Sequence, residues 1–207
     1  AVLPLGTRNH FARQLGVPLE LDEAAKVALD GRETAVDIAR AGDKVFINNA
    51  AVGEYTRLVR RREALDAPKW AATIPAAWHV LRNPRPRALC LTIDGERREV
   101  ITPLLFVGNN RYSLEPGKLG ERESLTDGVL SVYVVPRFGW WALLGFAWQV
   151  LFSRADPRTY FELLGEAREV VIEGAGSLEI ALDGEVEKLP LPLACEILPQ
   201  ALKVVVP

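Results

Sequence analysis

The first 30 residues show a different pattern of hydrophobic and polar positions from the rest of the chain. Ala1–Leu5 is a continuous apolar run, which predicts a strand buried on both faces. A turn follows, and the apolar spacing then predicts a helix over Asn9–Leu15. A second helix is predicted over Glu23–Leu29, with Asp22 as its N-cap. We therefore predict a domain boundary near residue 30.

After Gly31 the period of the pattern changes from helical to two. Thr34, Val36 and Ile38 alternate with other residues, and a turn at Gly42-Asp43 predicts a hairpin with Lys44–Asn49. Further strands are predicted at Leu89–Ile93, Glu96–Thr102, Leu104–Asn109, Val129–Val135, Val170–Glu173, Ser177–Leu182, Leu191–Ile197 and Leu202–Val206. About nine strands with few helical crossovers predict an antiparallel, sandwich-like domain over residues 31–207. The expected class is α+β and mostly β.

Two helices and one unusual segment interrupt this β pattern. The helices are predicted over Glu54–Leu65 and roughly over Pro75–Leu81. Phe138–Phe152 is nearly all apolar and contains three tryptophans. It is shorter than the roughly 20 residues that span a bilayer, so it is either a core helix or a helix at a membrane interface. Two arginine clusters could contact anionic head groups, although a solvated face is the more ordinary interpretation: Arg57, Arg60, Arg61 and Arg62, and Arg82, Arg85 and Arg87.

Composition and charge narrow the functional classes. The 207 residues have a net charge of −2, so no global charge indicates a nucleic-acid partner. Two cysteines are too few for a disulfide scaffold and fit a reducing, cytoplasmic compartment. The start shows no secretory signal and resembles the end of a buried strand. We therefore expect the chain to be the C-terminal part of a longer protein.

Five motifs occur in an order that is specific although each motif alone is weak. They are PLGTRNHFAR at 4–13, TAVD at 34–37, FINNAAVG at 46–53, LTDGVL at 125–130, and DGE at 183–185 followed by ALKVVVP at 201–207. Together they resemble the segments of the diacylglycerol kinase catalytic-domain family, whose first motif is PLGTxNDFAR. The resemblance implies that residues 1–30 are the end of a nucleotide-binding α/β domain. Residues 31–207 would then be a β-rich domain for the lipid substrate.

The family's phosphate-binding GGDGT loop is missing from this sequence. Gly-x-Gly occurs only at Gly174-Ala175-Gly176, between late strands, which is the wrong context for a phosphate cradle. We therefore expect the chain to lack much of the ATP site and to need an N-terminal nucleotide domain as its partner.

Two aspartates are the candidate catalytic residues. Asp37 lies in a predicted strand among apolar neighbours, where a carboxylate needs a partner, a metal or a function. The resemblance places it in a magnesium-and-water network, makes Asp183 the candidate general base, and makes Glu185 a nucleotide contact. Asp-Gly is also the commonest hairpin turn signal. Asp94-Gly95-Glu96 has the same sequence as residues 183–185, but the resemblance implies no functional role for it.

The nucleotide-side candidates are Gly6, Thr7, Asn9 and His10. A turn that leads into a helix offers N–H groups to an anion, and the alternative is a plain N-cap. His10 stands where the family has aspartate, and imidazole is a poor ligand for Mg²⁺. It could donate a hydrogen bond to a phosphate or to Asp37, or it could be an ordinary histidine at a helix start.

A cation site is predicted in the turn before the strand at 129–135. A carboxylate at Asp127 with oxygens from Ser124 and Val129 would make an oxygen-rich site, and the resemblance implies Mg²⁺ there. The alternative is an Asp-Gly turn that binds no ion.

These observations lead to one expected function and two rivals. We expect the C-terminal portion of an ATP- and Mg²⁺-dependent lipid kinase that transfers the γ-phosphate to a lipid hydroxyl, such as that of diacylglycerol. It would act in the cytoplasm, peripherally associated with a membrane surface. The first rival is a non-catalytic lipid-binding or regulatory module of the same fold. The second is a relative that acts on a soluble hydroxyl, as NAD kinases do.

Overall fold

The computed structural model describes residues 1–6, 9–63, 86–113, 121–135 and 161–207. The predicted helix at Pro75–Leu81 and the tryptophan-rich segment Phe138–Phe152 lie outside these residues, as do Arg82 and Arg85. Their predicted roles therefore stay predictions.

The N-terminal segment contains two helices, α1 at His10–Gln14 and α2 at Leu21–Asp30. The predicted strand at Ala1–Leu5 is wrong, because these residues belong to none of the strands in the described part of the chain. The Leu5 N–H instead donates to the Leu3 carbonyl at 2.9 Å, and Leu5 is 75% exposed. The N-cap of α2 is Glu20, so Asp22 lies in the first turn of that helix and does not cap it.

Twelve strands and a third helix follow in the described residues. The helix is α3 at Glu54–Glu63. The strands are β1 Arg32–Ala41, β2 Lys44–Phe46, β3 Asn49–Gly53, β4 Arg87–Ile93, β5 Glu96–Thr102, β6 Leu104–Asn109, β7 Leu130–Val134, β8 Glu162–Ala167, β9 Glu169–Ile172, β10 Ser177–Leu182, β11 Glu185–Pro190 and β12 Leu193–Val206.

The strands form two six-stranded antiparallel sheets. The first has the order β2-β1-β12-β9-β4-β5 and the second has the order β11-β10-β3-β6-β7-β8. One hydrophobic core joins them, because side chains alternate along each strand and the apolar set of each sheet points to the other. Its largest fully buried members include Phe46 and Leu91 from the first sheet, and Leu105 and Ile180 from the second. The predicted mostly-β antiparallel sandwich is confirmed.

A smaller core attaches the N-terminal segment to the first sheet. Ala12 of α1, the C-cap residue Leu15 and Ala24 of α2 pack with Val36 of β1 and Val204 of β12. This contact fixes α1 beside the strand that contains Asp37. The domain division near residue 30 stays a prediction.

The chain crosses between the two sheets at five places in the described residues, and two of these crossings concern the aspartates of the Asp-Gly-Glu turns. The strand predicted at Lys44–Asn49 ends at Phe46, and residues 47–48 lead from β2 of the first sheet to β3 of the second. Arg168 leads back from β8 of the second sheet to β9 of the first. At such a crossing the backbone leaves one hydrogen-bond ladder before it enters the next, so its N–H groups need other acceptors.

Candidate functional site

The carboxylate of Asp183 holds the first of these crossings. Asp183 and Gly184 form the tight hairpin between β10 and β11 with φ of 50° and 93°, in the left-handed region that such turns require. The Oδ2 atom of Asp183 accepts the Ile47 N–H at 2.7 Å, and Oδ1 accepts the N–H groups of Asn48 and Asn49 at 2.7 and 3.1 Å. Asp183 is nevertheless exposed to solvent. It is therefore a carboxylate with a fixed orientation and an open side.

The guanidinium of Arg122 contacts the same crossing from another direction. It donates to the Ile47 carbonyl at 2.7 Å and to Asn48 Oδ1 at 3.3 Å. The Tyr112 hydroxyl donates to the Asn48 carbonyl at 3.0 Å. Burial lowers the pKa of Arg122, and the Coulombic effects of Tyr112 and Asp183 partly offset that shift. Sequence reasoning missed Arg122, because its neighbours Glu121 and Glu123 give the segment the pattern of a solvated surface.

Asp37 is buried and its two carboxylate oxygens accept backbone N–H groups. It is 1% exposed and lies at the irregular position of β1, where the pairing with β12 shifts register. Oδ1 accepts the Gln200 N–H at 2.8 Å and Oδ2 accepts the Gly128 N–H at 2.7 Å. The Asp37 N–H donates to the Leu125 carbonyl at 2.9 Å. The partner that the sequence required for this carboxylate is therefore the backbone of β12 and of the 124–129 turn.

Asp127 lies in the turn that Asp37 holds, and it is exposed. The Ser124 hydroxyl accepts the Thr126 N–H at 3.0 Å, and the Val129 carbonyl accepts the Asn110 N–H at 2.9 Å. The described part of the chain contains no group of three His, Cys, Asp or Glu side chains that could hold a metal. A cation at Asp127 would therefore need hydroxyl and carbonyl oxygens as well. These are hard donors of the kind that Mg²⁺ prefers, so the donor set fits the ion.

One buried amide links the surroundings of the two candidate catalytic acids. Asn109 is fully buried, and its Nδ2 donates to the Asp37 carbonyl at 2.9 Å and to the Ile47 carbonyl at 2.7 Å. Asp37 and the crossing that Asp183 holds are thus joined through a single side chain. No local pattern in the sequence indicated this role for Asn109, which is the last residue of a predicted strand.

Two of the nucleotide-side candidates, Gly6 and Asn9, are joined by a hydrogen bond just before α1. Asn9 has φ of 50°, its Oδ1 accepts the Gly6 N–H at 2.8 Å, and its Nδ2 donates to the Pro4 carbonyl at 3.1 Å. Asn9 stands at the N-cap position of α1, and its side chain makes no capping hydrogen bond to the helix. His10 is exposed as the first residue of α1, and Thr7 lies outside the described residues.

A cleft of about 610 Å³ opens beside these elements. It lies between α1, the start of β1, the end of β12 and the 121–126 segment, and Gln14, Thr34, Arg122 and Ser124 line it among others. The cleft thus reaches both the nucleotide-side helix and the turn that contains Asp127.

The second Asp-Gly-Glu turn repeats the arrangement at Asp183. Asp94 has φ of 44°, and its Oδ1 accepts the N–H groups of Arg168 and Glu169 at 2.9 and 3.0 Å. Those residues form the crossing from β8 to β9. Each of the two Asp-Gly-Glu turns therefore fixes one crossing, and the turn structure alone does not distinguish a catalytic aspartate from a structural one.

Comparison with known proteins identifies the family. Residues 49–206 match the YegS C-terminal NAD kinase beta sandwich-like domain. The chain belongs to this family. Residues 1–41 match the diacylglycerol kinase catalytic domain, so the resemblance predicted from the five motifs is confirmed.

Named relatives agree with this assignment. The "Probable lipid kinase YegS-like" of Pectobacterium atrosepticum is 28% identical over 96% of this chain and 69% of its own length. A diacylglycerol kinase of Staphylococcus aureus is 29% identical over 89% of this chain and 59% of its own length.

Solved structures share the fold. The crystal structure of a diacylglycerol kinase from Bacillus anthracis superposes with a TM-score of 0.63 at 23% identity, covering 98% of this chain and 64% of that one. A second solved chain from the same strain gives a TM-score of 0.68 at 26% identity and covers 66% of that chain. The chain therefore spans about two thirds of the lengths of these proteins.

Proposed function

We propose that this chain is the acceptor side of an ATP-dependent lipid kinase, which transfers the γ-phosphate to a lipid hydroxyl such as that of diacylglycerol. The observation that carries the proposal is the exposed, oriented carboxylate of Asp183, in a chain whose named relatives are lipid and diacylglycerol kinases. The missing phosphate loop would come from an N-terminal nucleotide domain.

The chemistry of this reaction requires a base at the acceptor hydroxyl. A carboxylate has roughly four lone-pair sites, and three at Asp183 already accept backbone N–H groups, which leaves one for a substrate hydroxyl. Asp183 would accept the hydroxyl proton at this site while the lipid oxygen attacks the γ-phosphorus, the bond from that phosphorus to the bridging oxygen breaks, and ADP leaves. The fixed orientation lowers the entropic cost of placing the base.

The remaining candidates would bind the nucleotide and the cation. ATP supplies the phosphoryl group, and Mg²⁺ neutralises its charge. Gly6, Thr7, Asn9, His10 and Glu185 would contact the nucleotide. Mg²⁺ would take the carboxylate of Asp127 with oxygens of Ser124 and Val129, and Asp37 would hold that turn in place through the Gly128 N–H.

We also propose a cytoplasmic enzyme that associates peripherally with membranes, because a kinase of this class must reach a lipid in a bilayer. None of the helices in the described residues is long and apolar enough to cross a membrane. The arginines of α3 offer less positive charge to anionic head groups than their number suggests. Arg57 pairs with Glu54 in a half-buried contact, and Arg60 pairs with Glu179 at 2.8 Å, so both already have carboxylate partners.

The test compares two variants of the complete native protein, Asp183→Asn and Asp94→Asn. A general base contributes about 10²–10⁴-fold to the rate, so Asp183→Asn should lower kcat for ATP-dependent phosphorylation of diacylglycerol in mixed micelles by at least about 100-fold. Asp94→Asn should stay within a few-fold of the parent, because Asp94 holds only the crossing from β8 to β9. Equal losses would refute the assignment of the base. Lipid-vesicle binding without phosphorylation by the parent would favour the non-catalytic module.

A further inference from the structure

Arg122 is a buried charge whose hydrogen-bond partners are all neutral. It is 8% exposed. Nε and Nη2 donate to Gln14 Oε1 at 2.9 and 2.7 Å, Nη1 donates to the Ile47 carbonyl at 2.7 Å, and weaker contacts reach Asn48 Oδ1 at 3.3 Å and the Asn109 carbonyl at 3.5 Å. Its Cζ lies 5.8 Å from the centre of the Phe11 ring. Within the described residues, no carboxylate forms a salt bridge with it.

Burial of a guanidinium without a carboxylate is costly, and an aliphatic side chain in this place would avoid that cost. The planar fork of arginine instead binds several fixed acceptors at once, which a lysine ammonium cannot do in the same geometry. The residue type at position 122 therefore suits the alignment of separate segments more than the stability of the core.

The segments that Arg122 aligns lie on two sides of the proposed active site. Gln14 and Phe11 belong to the N-terminal segment that matches the diacylglycerol kinase catalytic domain. Ile47 and Asn48 form the crossing whose N–H groups Asp183 accepts. The crossing is thus held on its N–H side by a carboxylate and on its carbonyl side by a guanidinium.

We propose that Arg122 is a positioning residue that sets the orientation of Asp183 through the 47–49 crossing and ties it to α1 on the nucleotide side. The catalytic consequence rests on the proposed function above. The positioning itself is a property of the described residues and is tested separately.

The structural arm of the test measures amide hydrogen exchange by NMR in Arg122→Lys. Lysine keeps the charge and loses the fork, so the N–H groups of Ile47, Asn48 and Asn49 should exchange at least about 10-fold faster than in the parent. The control is Arg111→Lys, because Arg111 makes an equally short bidentate pair at 2.6 Å to Glu166 on the surface. It should leave exchange at 47–49 unchanged. A folded Arg122→Lys with parental exchange there would overturn the proposal.

Gln14→Leu keeps the arginine and removes one of its acceptors, so it decides the question if Arg122→Lys does not fold. Faster exchange at 47–49, more than 25 residues from the change, would support the link between α1 and the crossing. Parental exchange in this variant would overturn that link.

The kinetic arm uses the complete native protein. Arg122→Lys should lower kcat about 10-fold with both KM values within about two-fold, because substrate contacts stay and the base is misplaced. In an Asp183→Asn background it should cause no further loss, whereas losses that multiply would overturn the proposal. If the parent has no lipid kinase activity, the proposed function fails and the exchange measurement still decides the positioning role.

Discussion

Substitution of each Asp-Gly aspartate by asparagine tests how the crossings are held. Because both aspartates lie in an Asp-Gly-Glu sequence, the sequence alone predicts the same loss of stability for Asp183→Asn and Asp94→Asn. The structure makes them unequal. Asp183 uses both oxygens, Oδ2 for Ile47 and Oδ1 for Asn48 and Asn49, whereas Asp94 accepts both of its N–H groups on Oδ1.

The expected difference follows from where the new amide nitrogen must lie. At position 94 the amide oxygen can keep both hydrogen bonds, and the NH₂ group can point to solvent. At position 183 the amide oxygen can still accept the N–H groups of Asn48 and Asn49. The NH₂ group then faces the Ile47 N–H, whose nitrogen lies 2.7 Å from Oδ2 in the parent. Two facing donors at a solvent-accessible site cost about 1–2 kcal/mol. Both variants lose the charge, and this contact is a geometric difference that only position 183 shows.

The assay is thermal denaturation of both variants at equilibrium, monitored by circular dichroism. Asp183→Asn should unfold at a midpoint roughly 2–8 °C below that of Asp94→Asn, since 1 kcal/mol shifts Tm by about 2–4 °C in a chain of this size. Amide exchange should rise most at Ile47 and less at Asn48 and Asn49. An Asp94→Asn variant that is equally or more destabilised would refute the argument from the two oxygens.

Two further predictions concern the cation and the cysteines. If Asp127 ligates Mg²⁺, the ion should raise the Tm of the chain and Asp127→Ala should abolish that increment, whereas an identical Mg²⁺ response in the variant would show a turn without an ion. Burial raises the pKa of Cys195 to about 12, so iodoacetamide at pH 8 should alkylate the half-buried Cys90 and spare Cys195 in the native protein. Peptide mass spectrometry measures both sites, and comparable labelling would contradict the buried placement of Cys195.

Apolar patterning together with turn signals predicted several strands accurately. β5, β6 and β10 have the predicted bounds. Two of the edge strands, β8 and β11, were missed, because charged residues such as Glu185, Glu187 and Lys188 weaken their apolar pattern. β12 was predicted as two strands, because Pro199-Gln200 interrupts the pattern. In the structure this is a bulge within one strand, with Gln200 at φ of 51°.

The positions of the candidate acids were predictable, and their partners were not. The sequence shows that a carboxylate at Asp37 needs a partner. The N–H groups that satisfy it belong to residues 91 and 163 positions away, which no local pattern identifies. Arg122 was missed because its charged neighbours predict an exposed segment. It is buried only by the folded arrangement of α1 and the 47–49 crossing.

The two acids that the family resemblance groups together differ in what they can contact. Asp183 is exposed and keeps a lone-pair site open, so a substrate hydroxyl can approach it. Asp37 is 1% exposed, and its oxygens accept backbone N–H groups from two segments, so a ligand reaches it only if one of those segments moves. Both ends of the Leu125–Gly128 turn contact Asp37. The Leu125 carbonyl accepts the Asp37 N–H, and the Gly128 N–H donates to the Asp37 carboxylate. We therefore infer that Asp37 acts on the proposed chemistry through the turn that contains Asp127, and Asp183 acts on it directly.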